Sequence, residues 1–351
     1  MGFDPKTDGV LILAGGRGER FWPWSTPARP KQLLPLASRG RTLLAATFER
    51  ALRLAPGRER IVVMTSADLR EACQRECPGA TILGEPMARN TAPAIAAAAA
   101  VFGEGAVFAS LHADHAIEDE DAFASDLVRA HEIARRQDVL VTFGIRPSAP
   151  VTSFGYIHRG ERLGERLYRV ARFKEKPDRD TAAQWLASGE YLWNSGMFVW
   201  RKKTFFDALA VRHPDIAALR AFGWSGGPAA FAAALAPRFE PLPSIAVDHA
   251  VLEGAPNVVV LEASFDWDDV GSWTAWGKRQ ARDGEGNVTY GRAVPVDCRR
   301  CIVVGDGVTA APLGLDDMIV VATADGVLAC PVERSEQVRR VAEAVRARDA
   351  R

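Results

Sequence analysis

Through the first 145 residues, short unbroken apolar runs alternate with longer segments whose apolar positions recur every three or four residues. The runs are Val10–Leu13, Arg60–Met64, Thr81–Leu83, Ala106–Leu111 and Val139–Ile145. Continuous rather than alternating hydrophobicity predicts strands buried on both faces. Between them, Thr42–Leu54, Asp68–Cys77 and Ala122–Arg136 read as helices, as does an alanine-rich stretch that Asn90 or Thr91 could cap and that carries Pro93 in its first turn. This alternation predicts an α/β fold with a mostly parallel sheet covered on both faces, where ligands bind at the carboxyl ends of the strands. Gly15, Asp114 and the turn Gly84-Glu85-Pro86 all fall at such ends.

Beyond Pro150 the pattern shortens. Phe154–His158 and Tyr168–Lys174 suggest antiparallel strands, Gln184–Ser188 the end of a helix, Pro228–Ala236 an alanine-rich helix and Asn257–Leu261 a further strand. After Trp276 the polar KRQARDGEGN stretch marks a linker, so a boundary is expected near Asp283, dividing the chain into 1–283 and 284–351. Valine-rich strands follow from Val288 to Cys330. The last helix is expected over Arg334–Arg348, with Val338, Val341, Ala342 and Val345 on one face. No internal repeat is evident apart from the alanine-rich helices.

The 44 basic and 44 acidic side chains cancel, so no global charge points to nucleic acid or an anionic membrane surface. The opening residues lack a charged segment followed by an apolar one, and no stretch of about 18 apolar residues could span a bilayer. The expected compartment is the cytoplasm, which five cysteines in a chain of 351 residues suit as reduced thiols. Cys73 and Cys77, with the pair Cys298 and Cys301, have spacings compatible with zinc, but the strand and helix signals around them are ordinary. His112 and His115 flank Asp114 without an HExxH pattern.

Charge is concentrated locally instead. From Arg17 to Arg41 the cations are Arg17, Arg20, Arg29, Lys31, Arg39 and Arg41, against Glu19 alone. They surround Gly15, Gly16 and Gly18, whose backbone N–H groups can approach an anion without a Cβ in the way. A phosphate cradle follows from this combination. It is neither a dinucleotide loop, which would need glycine at Phe21, nor a Walker loop, which needs Gly-Lys followed by Ser or Thr.

The stretch GGRGERFWPWSTPARPKQ resembles the signature GGxGxRxWPxSxxxxPKQ of the sugar-1-phosphate nucleotidyltransferases, and within them the mannose-1-phosphate guanylyltransferases. Later blocks match in the same order: GEPMARNTAPAIAAAA, ADHAI, FGYI, FKEKPD, WNSGMF, SIAVDHAVLE and WDDVGSW. The likeness spans about Val10 to Trp276. It implies a Rossmann-like, GT-A-like catalytic sheet with a small β-rich, partly β-helical C-terminal region, and transfer of a nucleotide from GTP to mannose 1-phosphate with release of pyrophosphate.

Such a transfer is an in-line attack of one phosphate on another, which needs neutralised charge and alignment rather than a covalent nucleophile. The resemblance assigns Arg20 and the Gly15, Gly16 and Gly18 amides to the nucleotide phosphates, and Lys31 to the reacting α-phosphate. It places the base near Glu85, Asn90, Thr91 and Ala92, with Arg89 a further candidate. Guanine offers N1 and N2 donors that Glu85 or backbone carbonyls could read. The sugar phosphate falls to Gly155, Glu175, Lys176 and Asn194, and a magnesium ion to Asp114 and Asp269. Three departures bear on the sugar: Ser153-Phe154 for the commoner Gly-Tyr, His112 for a proline, and His249 for a tyrosine after Asp248, whose role is open. Rival expectations are the same chemistry on another pair, as in GDP-heptose or dTDP-glucose synthesis, and a catalytically silent regulatory paralogue. The oligomeric state is open, a homodimer being one possibility.

Overall fold

The first apolar run forms β1 (Gly9–Leu13), all of it buried, and pairs in parallel with β2 (Ile61–Ser66) and β4 (Val107–His112), while β2 pairs with β3 (Thr81–Glu85). With β5 (Leu140–Ile145), β6 (Gly155–Gly164), β7 (Leu167–Glu175), β8 (Tyr191–Arg201) and β9 (Val258–Glu262) they make a nine-stranded sheet of order β3-β2-β1-β4-β8-β5-β9-β7-β6. The computed structural model describes residues 3–16 and 18–349. Arg17, counted in the basic cluster, lies outside them.

The sheet is parallel on the β3-β2-β1-β4 side and mixed beyond it. β8 runs antiparallel to both β4 and β5, and β6 and β7 pair antiparallel with each other. The apolar pattern does not announce β8 as a strand, because Asn194 and Gly196 interrupt it. Gly196 takes a left-handed φ of 72° there, and the register against β5 shifts between Thr142 and Gly144. A bulge of this kind re-aims a side chain next to the break.

The helices follow the 3.6-residue pattern. Thr91–Ala99 is buried at every position after Thr91, so its alanines let the helix backbone sit close to the sheet. Asn90 caps it, accepting from Thr91 N at 2.8 Å. Glu120–Arg136 is capped by Asp119 and buries one stripe from Phe123 to Ala134. None of the described helices is long and apolar enough to cross a membrane.

By contact density the chain falls into two compact units. The first comprises Met1–Gly15, Leu44–Ala113 and Ile117–Trp267 and contains the nine-stranded sheet. The second comprises Gly16–Leu43, Asp114–Ala116 and Asp268–Arg351. It contains the four strands β10 (Val288–Ala293), β11 (Ile302–Ala310), β12 (Met318–Thr323) and β13 (Gly326–Pro331).

β10, β11 and β12 stack in parallel, and β13 closes antiparallel. Ile302 lies opposite Ile319, Val296 opposite Leu313 and Arg299 opposite Asp316, each partner 17 residues on, so successive coils repeat although no repeat is evident in the sequence. Cys298 and Cys301 are buried in these coils, their thiols donating to the carbonyls of Pro312 and Leu315 at 3.4 and 3.2 Å. Hydrogen-bonded thiols of this kind are packing groups rather than zinc ligands. Phe21, Trp24, Trp273, Trp276, Ile302, Ile319 and Val338 form the core of this unit, with Trp24 stacked on Trp273 at 5.7 Å. On the last helix (Val338–Asp349), Val338 and Ala342 are buried, whereas Val341 is exposed; the buried stripe is narrower than expected because Val341 sits on its flank.

Candidate active site

In the second unit, Ala116 and Asp268 form an antiparallel bridge, with both N–H groups donating, at 2.9 and 3.0 Å. That bridge brings the segment after β4, carrying Asp114, against the WDDVGSW loop, carrying Asp269. Lys31 completes the cluster. It follows Pro30 in a short 3-10 turn and is only 7% exposed. Its ammonium donates to Asp114 Oδ2 at 2.9 Å and to the backbone carbonyl of Asp269.

Burial pushes the Asp269 carboxyl up, Lys31 pulls it down, Asp268 and Asp114 push it further up, and Arg20 opposes them. Burial and like charge at Asp269 are what a hard divalent cation would relieve, so the carboxylates of Asp114 and Asp269 are candidates to hold the metal that the resemblance implies. Val270, next in sequence, is fully buried at a φ of 45°, an unfavourable conformation for a β-branched side chain, and it anchors the loop in the aromatic core.

Arg20 lies in the 3-10 turn Glu19–Phe21 of the same unit and donates to the Gly271 carbonyl at 3.3 Å. Gly271 N in turn donates to Asp269 Oδ1 at 3.2 Å, so the arginine bonds to the loop that carries the metal-ligand candidate. Gly18 is required before this turn. Its φ is 63°, and an added Cβ would lie 2.2 Å from Lys31 Cβ. Gly16 is exposed with nothing within 4 Å of an added Cβ, leaving its backbone open to a ligand.

In the first unit, Gly15 is exposed at the end of β1, and a Cβ there would lie 3.2 Å from Glu85 Oε1. Burial pushes the Glu85 carboxyl up to about 7. The other base-site expectations are already engaged. Arg89 donates to the Glu240 carbonyl at 2.6 Å, and the Asn90 side chain caps its helix. Thr91 Oγ1 accepts from Val247 N at 2.8 Å, and Ala92, fully buried, donates its N–H to Ile245 O at 3.1 Å. Thr91 and Ala92 thus tie the helix start to the segment that leads into Asp248.

The sugar candidates of the first unit gather around Asp248. Asn194 Nδ2 donates to Asp248 Oδ1 at 2.6 Å, and its Oδ1 accepts from Thr142 Oγ1 and Gly196 N. Asp248 sits in a single π-helical turn, Asp248–Leu252, a form found often at functional sites. Burial raises its carboxyl, opposed by the Asn194 hydrogen bond and by His112 and His249. Glu175 ends β7 with His249 Nε2 3.8 Å away, and burial and Asp248 raise its carboxyl. Lys176 is exposed at a φ of 51°, and Gly155 packs beside Phe173 and Asn194.

Sequence reasoning thus names Arg20, Lys31, Asp114 and Asp269, which the second unit brings together, and Glu175 and Asn194, which the first unit groups. It misses Thr142 and leaves Asp248 without a partner. The signal for Asp248 is present: a polar residue two positions before an apolar run, Ala250 to Leu252, that is buried.

The comparisons with known proteins match the chain along most of its length. The model for nucleotidyl transferases matches residues 9–285, and that for the MannoseP isomerase/GMP-like beta-helix domain matches 291–345. A mannose-1-phosphate guanylyltransferase of Escherichia coli is 37% identical over 347 residues, covering 95% of this chain and 73% of that protein. The xanthan biosynthesis protein XanB of Xanthomonas campestris is 38% identical over 344 residues, covering 96% and 73%. A solved structure, the mannose-1-phosphate geranyltransferase from Thermus thermophilus, is 35% identical, with a TM-score of 0.85 over 97% of this chain and 99% of that one. With its signature loop, mixed α/β sheet and stacked C-terminal coils, this chain belongs to the mannose-1-phosphate guanylyltransferase family of nucleotidyl transferases.

Proposed function

We propose that the chain transfers a guanylyl group from GTP to mannose 1-phosphate, giving GDP-mannose and pyrophosphate. A sugar-phosphate oxygen attacks the α-phosphorus, the bond from that phosphorus to the bridging oxygen breaks, and its electron pair leaves with pyrophosphate. The observation that carries this reading is the placement of Lys31, a buried cation held by the Asp114 carboxylate and the Asp269 carbonyl. Fixed charge of that kind stabilises a crowded, anionic transition state without reorganisation during reaction.

In this reading Arg20 and the Gly15, Gly16 and Gly18 amides hold the nucleotide phosphates, and Glu85 accepts from the guanine N1 and N2 donors. Glu175 and Asn194 take the sugar hydroxyls, and Lys176 meets the sugar's phosphate. Asp114 and Asp269 would hold magnesium, which when bound offsets phosphate charge. The catalytic part is taken as 1–283 and the β-rich part as 284–351, with a cytoplasmic setting suited to unpaired cysteines.

The test is to incubate the protein with each nucleoside triphosphate and a panel of sugar 1-phosphates and to measure pyrophosphate release. Fastest turnover is expected with GTP and mannose 1-phosphate. Preference for another pair would reassign the substrates, and no turnover with any pair would favour the silent paralogue.

A further inference from the structure

Glu19 is the one acidic residue in the basic stretch that the function needs, and it lies between Gly18 and Arg20. A carboxylate there opposes the binding of a polyphosphate. In the second unit, the last helix answers it: Arg346 Nη1 lies 2.5 Å from Glu19 Oε1, and Arg339 Nε lies 3.4 Å from Glu19 Oε2. The two arginines are seven residues apart, which sets them on one helix face.

The same C-terminal segment touches the site's other parts. Glu336 Oε2 lies 3.5 Å from Arg20 Nε, and Ser335 Oγ accepts from Thr274 N at 3.2 Å, just past the WDDVGSW glycine. Val338 is buried in the cluster that contains Phe21 and Trp273, so the helix start is fixed to the turn it serves. Apolar packing holds the helix, and the segment then sets two cations on Glu19 against one carboxylate, Glu336, on Arg20.

We propose that the C-terminal helix is part of the nucleotide site, its Arg339 and Arg346 neutralising Glu19 so that the loop bearing Arg20 keeps a positive field for phosphate. The inference rests on the reading of that loop as the nucleotide-phosphate site. It makes Arg339 and Arg346 positioning and field-setting residues rather than catalytic ones. Because these groups are partly exposed, the effect should shrink as salt rises.

Calorimetry with GTP and magnesium tests it on the full chain. The double variant Arg339→Gln/Arg346→Gln should bind GTP about fivefold more weakly at low salt, near the upper range for an exposed ion pair. Adding Glu19→Gln should restore affinity to within about twofold, because the uncompensated anion is gone. Mannose 1-phosphate affinity should not move. If the triple variant stays as weak as the double, or the double binds GTP normally, the inference is overturned. Should the double variant fail to fold, Glu19→Gln alone decides: it should tighten GTP binding, and weaker binding overturns the proposal. Arg20→Ala, run alongside, separates the two levels, since unchanged GTP affinity there would overturn the phosphate-site reading itself.

Discussion

The ammonium of Lys31 lies 2.9 Å from the carboxylate of Asp114, 83 residues away in sequence, and also donates to the Asp269 carbonyl. A buried lysine so held has its charge fixed in one orientation by the fold. This differs from a surface lysine, whose charge is mobile and screened.

Lys31→Ala should therefore lower kcat by about 10²-fold or more, with a smaller effect on either KM, since fixed charge acts most on the transition state. Steady-state pyrophosphate release measures both. Gly18→Ala should reproduce the defect with Lys31 intact, because the new Cβ would sit 2.2 Å from Lys31 Cβ and displace it. A defect confined to KM in Lys31→Ala would reduce the residue to a binding role.

Asp114→Asn and Asp269→Asn should each remove most turnover while leaving the circular dichroism spectrum unchanged. Raising magnesium should restore only part of the rate, since one carboxylate cannot replace two in a site that takes hard oxygen donors. Full activity of either variant at ordinary magnesium would remove that aspartate from the metal set.

Lys176→Ala should weaken mannose 1-phosphate binding far more than GTP binding, as its charge is assigned to the sugar's phosphate. Asp248→Asn should act on the same substrate through Asn194, whose Nδ2 it holds at 2.6 Å. Calorimetry with each substrate separately distinguishes these from a general loss. GTP affinity that fell while sugar-phosphate affinity held would overturn both assignments.

The pH dependence should trace Glu85. Burial raises its carboxyl from 4.5 to about 7, so the folded protein holds this proton up to near neutrality. With Glu85 as the proposed guanine acceptor, the accepting carboxylate is present above about 7 and lost below it, so the KM for GTP should rise as pH falls from about 8 to about 6. Stability runs the other way: the raised carboxyl contributes stability that is full below 4.5 and lost as pH rises through about 7. Glu85→Gln should flatten the KM profile, and an unchanged profile would place the titrating group elsewhere.

The sequence alone determined the elements whose information is local. The runs Val10–Leu13, Arg60–Met64 and Ala106–Leu111 lie on the buried parallel strands Gly9–Leu13, Ile61–Ser66 and Val107–His112, and the Ala-rich segment after Asn90 became a helix, because burial on one face or two writes its period into consecutive residues. The cluster of glycines and cations between Gly15 and Arg41 was legible for the same reason, its members being neighbours in sequence. What the tertiary structure decided were the pairings between distant residues. The Ala116–Asp268 bridge that gathers Asp114 and Asp269, the Asn194–Asp248 hydrogen bond, the 17-residue coil register and the contact of Arg346 with Glu19 join positions that no local period relates. β8 was lost to sequence reasoning by the same rule, since the bulge at Gly196 that aims Asn194 also breaks the apolar pattern that would have revealed the strand.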